Sequence, residues 1–390
     1  MTYATTRRTE TGLYVRHDRG SALLVYSPLT GLVFAVPETD RQKTLSWLER
    51  TSQSAPSPQY LRALGPGWCI PHEEARYPMP HLLGAVDAFP ETPLPKRPVV
   101  INWLLTGRCP LNCKYCDAGD LMGWEEPSIS KIESTARAIL RLSPLAVVLT
   151  GGEPLASPHL ERALQLLYGR AGIIVDTSAY IAESEHLSLL KSLNVALRIS
   201  IDAERPSLND RYRPLRSERL GTGGQSPSTF EVAINTLCRA VDLGLCVTVQ
   251  SVAHKRNLAD LEALGDKLFR LGVRAWRVLK VQSCRGKEED YQKLVGRHKR
   301  YKYYFEQLER AKRTRWGEKM AVQATYNRVR NAVILVAPDG RFLTESDRGH
   351  GKIELDQDRP HDPRVRCIFP RVNPQAHAAR YLNATLEQEM

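Results

Sequence analysis

Val99-Val-Ile-Asn-Trp-Leu-Leu-Thr106 runs through Gly-Arg into Cys109-Pro-Leu-Asn-Cys113-Lys-Tyr-Cys116, and the reading of this stretch sets the reading of the chain. The first part is a short apolar run that reads as a buried strand. The second part places three cysteines within eight residues. Thiolates prefer iron–sulfur, zinc or cuprous ions, and iron–sulfur clusters are commonly held by closely spaced cysteines. Structural zinc wants four protein ligands, one more than this loop offers. A cluster with three ligands leaves one iron open to a small molecule. Half a zinc knuckle, or a thioredoxin-like pair at Cys113 and Cys116, is the alternative.

Beyond this loop, strands alternate with helices, the signature of a parallel β/α domain. A helix from about Ser130 is expected to open with a Ser130-x-x-Glu133 capping box and to bury Ile132, Ala136, Ile139 and Leu140. Strand Ala146–Thr150 then meets Gly151-Gly-Glu-Pro154. Two glycines at a strand end let backbone approach a ligand closely. A glutamate carboxylate beside free carbonyls can accept hydrogen bonds from an ammonium group. Strand Gly172–Asp176 leads to Thr177-Ser-Ala179, and strand Val195–Ile201 ends at Asp202. Ala203–Pro227 reads as one long, arginine-rich loop, of a length that is usually functional or mobile. A Ser228-x-x-Glu231 cap starts the next helix, followed by strand Cys246–Ser251, a helix over Leu258–Leu271 and strand Ala275–Lys280. The expected fold is α/β, an open partial (β/α)6 barrel over residues 99–284. In β/α barrels the C-terminal strand ends carry the site, and here the cysteine loop leaves from such an end.

The cysteine spacing, with Tyr115 before the last cysteine, and the Gly151-Gly-Glu-Pro154 run one strand later resemble the radical S-adenosylmethionine (radical SAM) superfamily. The resemblance covers Val99 to Lys280. It implies one four-iron four-sulfur cluster on Cys109, Cys113 and Cys116, with SAM on its open iron. Reductive cleavage of SAM would then yield a 5′-deoxyadenosyl radical that abstracts hydrogen from a substrate. It further implies SAM contacts from Tyr115, Gly151, Gly152, Glu153 and Pro154, and from the strand-end residues Ser178, Ser200 and Asp202. An arginine before Ser228-Thr-Phe-Glu231, Arg213 or Arg216, is expected to reach SAM as well. The family often has Thr-Asn-Gly where this chain has Thr177-Ser-Ala179. An electron donor is implied as a partner.

The flanks differ in character from the barrel. Residues 1–98 read as a small N-terminal α+β domain and its tether: strands Ala22–Tyr26 and Gly31–Val36, a helix over Glu38–Arg50, then a stretch rich in proline and glycine. That hairpin resembles the leader segments of radical SAM enzymes that modify ribosomally made peptides. Residues 285–390 read as a basic extension ending in a helix and a hairpin around Pro338-Asp-Gly340. Fourteen Lys/Arg stand against six Asp/Glu between Arg285 and Arg330, within a chain of net charge +12. Interleaved aromatics there could stack bases along a phosphate backbone, or Tyr301, Tyr304, Phe305 and Leu308 could form one core-facing helical stripe. Cys238 and Cys246 read as small buried core residues. Cys69, Cys284 and Cys367 lack clustered spacing, so one cluster is expected. Cys69 with His72 reads as an incidental pair.

The composition, 42% hydrophobic and 25% charged, is that of a soluble globular protein. The first residues lack a signal-peptide h-region and no apolar run is long enough to span a bilayer, so a cytoplasmic protein without membrane contact is expected. The favoured substrate is a ribosomally synthesised peptide entering the open side of the barrel. A nucleotide, as in viperin-type enzymes, or a nucleic acid is the alternative on the charge argument. Outside enzymology, an iron–sulfur protein that binds RNA remains as a reading.

Overall fold

The computed structural model describes residues 5–8, 12–17, 23–28, 32–36, 97–123, 125–216, 227–273, 275–284, 286–316, 320–325, 332–345, 352–354, 372 and 377. The expected helix over Glu38–Arg50, Cys69, His72 and Cys367 lie outside them.

Strands β1 (Arg7–Arg8), β2 (Tyr14–His17), β3 (Leu23–Ser27) and β4 (Leu32–Val36) form an antiparallel sheet in chain order. β3 and β4 are the expected hairpin strands. This sheet closes one end of the barrel. Tyr14, Leu24, Tyr26 and Val33 pack with Val100, Ala146, Ile174 and Ala196, at or near the starts of the barrel strands. The Tyr26 hydroxyl donates to the Ile173 carbonyl at 3.2 Å, and buried Arg16 donates to the carbonyls of Pro98 and Ser143. Tyr26→Ala is expected to cost about 3–5 kcal/mol, as for other buried aromatic truncations. A lowered urea midpoint at unchanged slope would report it.

The barrel itself is six parallel strands in consecutive order: β5 (Val100–Thr106), β6 (Ala146–Gly151), β7 (Gly172–Thr177), β8 (Ala196–Ser200), β9 (Val247–Ala253) and β10 (Ala275–Lys280). Helices α1 (Ile129–Arg141), α2 (Leu160–Leu167), α3 (Ser184–Ser192), α4 (Pro206–Tyr212), α5 (Thr229–Asp242) and α6 (Leu261–Arg270) lie between them in the chain. Alternation along β5 sends Ile101, Trp103 and Leu105 into the main core, shared with α1, α2 and α6, and leaves Asn102 and Leu104 on the cavity side. Strands buried on both faces read as nearly continuous apolar runs, which is why β5 and β6 were legible.

Four details differ from expectation. The cap of α1 is Ser128, whose Oγ accepts from the Lys131 N–H at 3.3 Å. Ser128 keeps extended backbone after Pro127 and Ser130 is already helical, so Glu133 is free to bind Arg162 instead. The long loop after Ala203 contains α4, with Pro206 at its first position, where proline is favoured. Cys238 and Cys246 are partly exposed, because Cys238 follows the buried Leu237 round α5 and Cys246 precedes β9.

The chain after 284 continues the same sheet on both sides. β11 (Ala321–Thr325) runs parallel to β10, and β12 (Leu335–Val336) parallel to β5. β13 (Phe342–Glu345) and β14 (Lys352–Glu354) add antiparallel strands beyond β12. In the basic segment, α7 (Glu288–Leu294) precedes α8 (His298–Ala311), and Tyr301, Phe305 and Leu308 are buried with Tyr304 packed beside them. The core-facing stripe therefore accounts for those aromatics.

Candidate active site

The cysteine loop is held from two sides. From one side, the segment after α4 pairs with it: the Asn112 N–H donates to the Pro214 carbonyl at 2.7 Å and the Lys114 N–H to Tyr212 at 3.0 Å. The Arg216 N–H reaches Pro110, while Arg216 Nε donates to the Cys109 carbonyl at 3.0 Å. From the other side comes the end of β6. The Gly152 N–H donates to Thr106 at 2.8 Å and the Glu153 N–H to Arg108 at 2.7 Å. A Cβ on Gly152 would lie 2.0 Å from the Arg108 carbonyl oxygen, and one on Gly151, at φ +130°, 2.6 Å from that of Thr106. Only glycine allows this backbone contact.

Cys109, Cys113, Cys116, Tyr115, Gly151, Gly152, Ser178, Ser200 and Arg213 border one cavity of about 450 Å3, at the C-terminal ends of the strands. Burial pushes the Cys109 and Cys116 thiols up to about 12, reinforced by Cys113. Cys113 is also raised by burial, against the pull of Arg213. Arg213 is buried, and although burial opposes its charge, Cys113 and Asp202 hold the guanidinium above its ordinary value. Its Nη1 lies 3.3 Å from Asp202 Oδ2. Asp202 does not border the cavity; its Oδ1 accepts from the Val252 N–H at 2.6 Å, which anchors Arg213 to β9.

Glu153 is fully buried, and its carboxylate meets the end of β7 behind Ser178, which borders the cavity. It accepts from the Thr177 hydroxyl at 2.6 Å, the Ser178 hydroxyl at 2.5 Å and the N–H groups of Ser178 and Leu155. Burial raises its pKa, partly offset by Ser178 and Thr177. Glu153 thus positions the strand ends, and Pro154 is buried at the first position of a short 3-10 turn.

The donor set fits an iron–sulfur cluster. Three buried or half-buried soft thiols open on one cavity, and the Leu111 N–H donates to Cys109 Sγ at 3.4 Å, a contact that favours thiolate. No three His, Cys, Asp or Glu side chains among the described residues close around a single metal ion. Structural zinc takes four protein ligands, one more than this loop supplies.

A family model described as the radical SAM superfamily matches residues 103–268. These residues belong to the radical SAM superfamily. The family implies an iron–sulfur cluster and SAM. Among relatives, the PqqA peptide cyclase of Ruegeria pomeroyi is 28% identical over 199 residues, 50% of this chain and 50% of that protein. The Fe-coproporphyrin III synthase of Methanosarcina barkeri is 24% identical over 177 residues, 44% and 41% of the two chains. The chain thus spans about half the length of the curated relatives it matches. In fold it is similar to SuiB of Streptococcus suis, with a TM-score of 0.53 at 12% identity over 88% of this chain and 81% of that one. A SuiB structure bound to its precursor peptide SuiA aligns with a TM-score of 0.52 at 13% identity, over 81% of this chain and 72% of that one. No helix among the described residues is long and apolar enough to cross a membrane.

Behind the radical SAM domain's cysteine loop lies a residue that motif reading passed over. His254, fully buried, packs its ring against Tyr212 and Tyr115, with centroids 4.4 Å and 5.7 Å away. Its Nδ1 accepts from the Arg256 N–H, so the ring is neutral with the proton on Nε2. Burial, aided by the Arg256 charge, lowers its pKa to about 3. The unfolded chain binds a proton near pH 6.5 and the folded protein does not, so His254 costs stability as pH falls from about 6.5 towards 3. The slope is at most about 1.4 kcal/mol per pH unit. His254→Phe, which keeps the ring packing, is expected to lose less thermal stability than wild type between pH 7.5 and 5.5. Equal losses would remove His254 from the account.

Also missed were Asp176, Arg198, Gln250 and Arg277, which line the barrel interior. Their signal was a charged or amide residue inside an otherwise apolar parallel strand, as in Ala196-Leu-Arg-Ile-Ser200.

Proposed function

We propose that this chain is a radical SAM enzyme that modifies a ribosomally synthesised peptide. The observation that carries the reading is the meeting of three thiols and the Gly151-Gly152 backbone on one cavity. Cys109, Cys113 and Cys116 would hold a single four-iron four-sulfur cluster, which when bound supplies one-electron cleavage of SAM to a 5′-deoxyadenosyl radical for hydrogen abstraction. The remaining work is the protein's. Arg213, charged and anchored by Asp202, is placed to accept a carboxylate. Ser178 and Ser200 offer hydroxyls at adjacent strand ends, and backbone carbonyls of Gly151 and Gly152 could take an ammonium group.

A peptide substrate is supported by the relatives named PqqA peptide cyclase and by the fold shared with SuiB. A cavity of about 450 Å3 is of small-ligand size. The nucleic-acid reading loses Tyr301, Phe305 and Trp316, which are core residues, and keeps the exposed Tyr303. On this proposal residues 1–98 guide the peptide, 99–284 carry the chemistry, 285–390 form a basic extension, and an electron donor acts in a reducing cytoplasm. The test is anaerobic reconstitution with iron and sulfide, then SAM and a strong reductant. The expected products are 5′-deoxyadenosine and methionine. A fully loaded cluster that leaves SAM uncleaved, with and without candidate peptides, would refute the proposal.

A further inference from the structure

The cavity has two unlike sides. Asp176, Arg198, Gln250 and Arg277 reach it from β7, β8, β9 and β10. The side towards β5 and β12 is apolar: Leu104 comes from β5, Val333 and Leu335 from the segment that leads into β12, and Ala118 and Met122 from the turn after the cysteine loop. Asn102, opposite Leu335 in register, is the polar residue at its edge. Alternation through the added strand builds this wall. Ile334 and Val336 enter the main core, while Val333, Leu335 and Ala337 turn the other way and pack with Leu104, Leu121 and Leu343. Within that second cluster Leu121, Ala337 and Leu343 are off the cavity, whereas Leu104, Val333 and Leu335 border it.

Aliphatic surface turned towards an open, partly charged cavity is unfavourable unless something apolar covers it. SAM, with a carboxylate, an ammonium group and ribose hydroxyls, calls for polar partners, and the other side of the cavity supplies them. Val333 and Leu335 lie beyond the radical SAM domain, residues 103–268, and specificity resides in what is added to a shared fold. The wall also adjoins the thiols. The Gly119 N–H donates to the Cys116 carbonyl at 3.1 Å and the Leu121 N–H to Ala118 at 2.9 Å, so the turn that carries Ala118 and Met122 continues the cysteine loop. A side chain resting on the wall is therefore held beside that loop, where hydrogen abstraction needs its C–H bond. Resting on the radical SAM reading, we infer that Leu104, Ala118, Met122, Val333 and Leu335 form a subsite for an aliphatic side chain of the peptide substrate.

The test uses the full chain, reconstituted and saturated with SAM under anaerobic conditions. The probes are N-acetyl-leucine N-methylamide and N-acetyl-asparagine N-methylamide, whose side chains are alike in shape and differ in polarity. Affinities are read by saturation-transfer NMR. One methylene in a closed apolar pocket is worth about 10–200-fold; against a wall open on one side, the leucine probe is expected to bind at least about fivefold tighter. Leu335→Asn should bring that preference below twofold, and Val333→Thr, which keeps the volume and adds a hydroxyl, should weaken it. Ala337→Ser places a hydroxyl in the same cluster but off the cavity, and should leave the preference intact. SAM affinity, measured separately, should stay within twofold in all three. Equal binding of the two probes to wild type, including no binding of either, would overturn the inference whether or not the variants fold. A leucine preference that survives both Leu335→Asn and Val333→Thr would place the contact elsewhere and overturn it as well. Equal loss in Ala337→Ser would reduce the wall to packing, and a tenfold loss of SAM affinity in Leu335→Asn would give it to SAM. If wild type forms no 5′-deoxyadenosine, the radical SAM reading fails by itself, and the leucine preference is still measurable.

Discussion

Cys113→Ala is expected to reduce 5′-deoxyadenosine formation by more than about 100-fold, since loss of a ligand should exceed the 10–100-fold typical of outer-shell partners. Bound iron and sulfide should fall with it. The loop around Cys113 is fixed by backbone bonds, Asn112 to Pro214, Lys114 to Tyr212 and Cys116 to Cys113, none of which uses the thiol. The unfolding midpoint of the metal-free variant should therefore match that of metal-free wild type. Cys284→Ala is the informative control. That thiol is buried and donates to the Asp117 carbonyl at 3.1 Å, close to the loop yet outside the cavity lining. Full iron content in Cys284→Ala, with Cys113→Ala depleted, would support three ligands from one loop. Equal depletion in both would mean that the ligand set has been misread.

What the chain disclosed before folding was set by short-range physics. Val100–Thr106 and Ala146–Gly151 are strands because both faces are buried, and their apolar runs carry that message locally. The cysteine spacing and the double glycine were legible because a cluster loop and a close backbone approach each demand particular residues at particular intervals. The role of Glu153 was not. Its carboxylate is turned towards Thr177 and Ser178 by the path of β7, twenty-four residues further along, and no local pattern states where that strand end will lie. The same holds for Asp202, which serves Arg213 and the Val252 N–H. The grouping of Asp176 with Arg198, and of Gln250 with Arg277, on the inner wall arises only through register between neighbouring strands. The edges added by β11 and β12 rest on pairings across more than forty residues, beyond the reach of periodicity.

Gly152→Ala should disrupt the site through a single methyl. The new Cβ would stand 2.0 Å from the Arg108 oxygen and 2.5 Å from its carbonyl carbon. These are backbone atoms and cannot turn aside as a side chain could. Relief requires β6 and the cysteine loop to part, which breaks the bonds from Gly152 to Thr106 and from Glu153 to Arg108. Overpacking of this kind costs about 1–3 kcal/mol, and the displaced Cys109 should lower both cluster occupancy and SAM cleavage. Gly123→Ala separates contact from strain. Gly123 has positive φ, at +77°, which Gly152 does not, and a Cβ there meets nothing within 4 Å, so the expected penalty is about 1–2 kcal/mol of backbone strain with cluster and SAM cleavage intact. If Gly152→Ala kept full stability and full SAM cleavage, the contact with Arg108 would be one that the loop can give up. Loss of cleavage confined to Gly152→Ala would identify the pressed contact between β6 and the cysteine loop as what sets the three thiols in place.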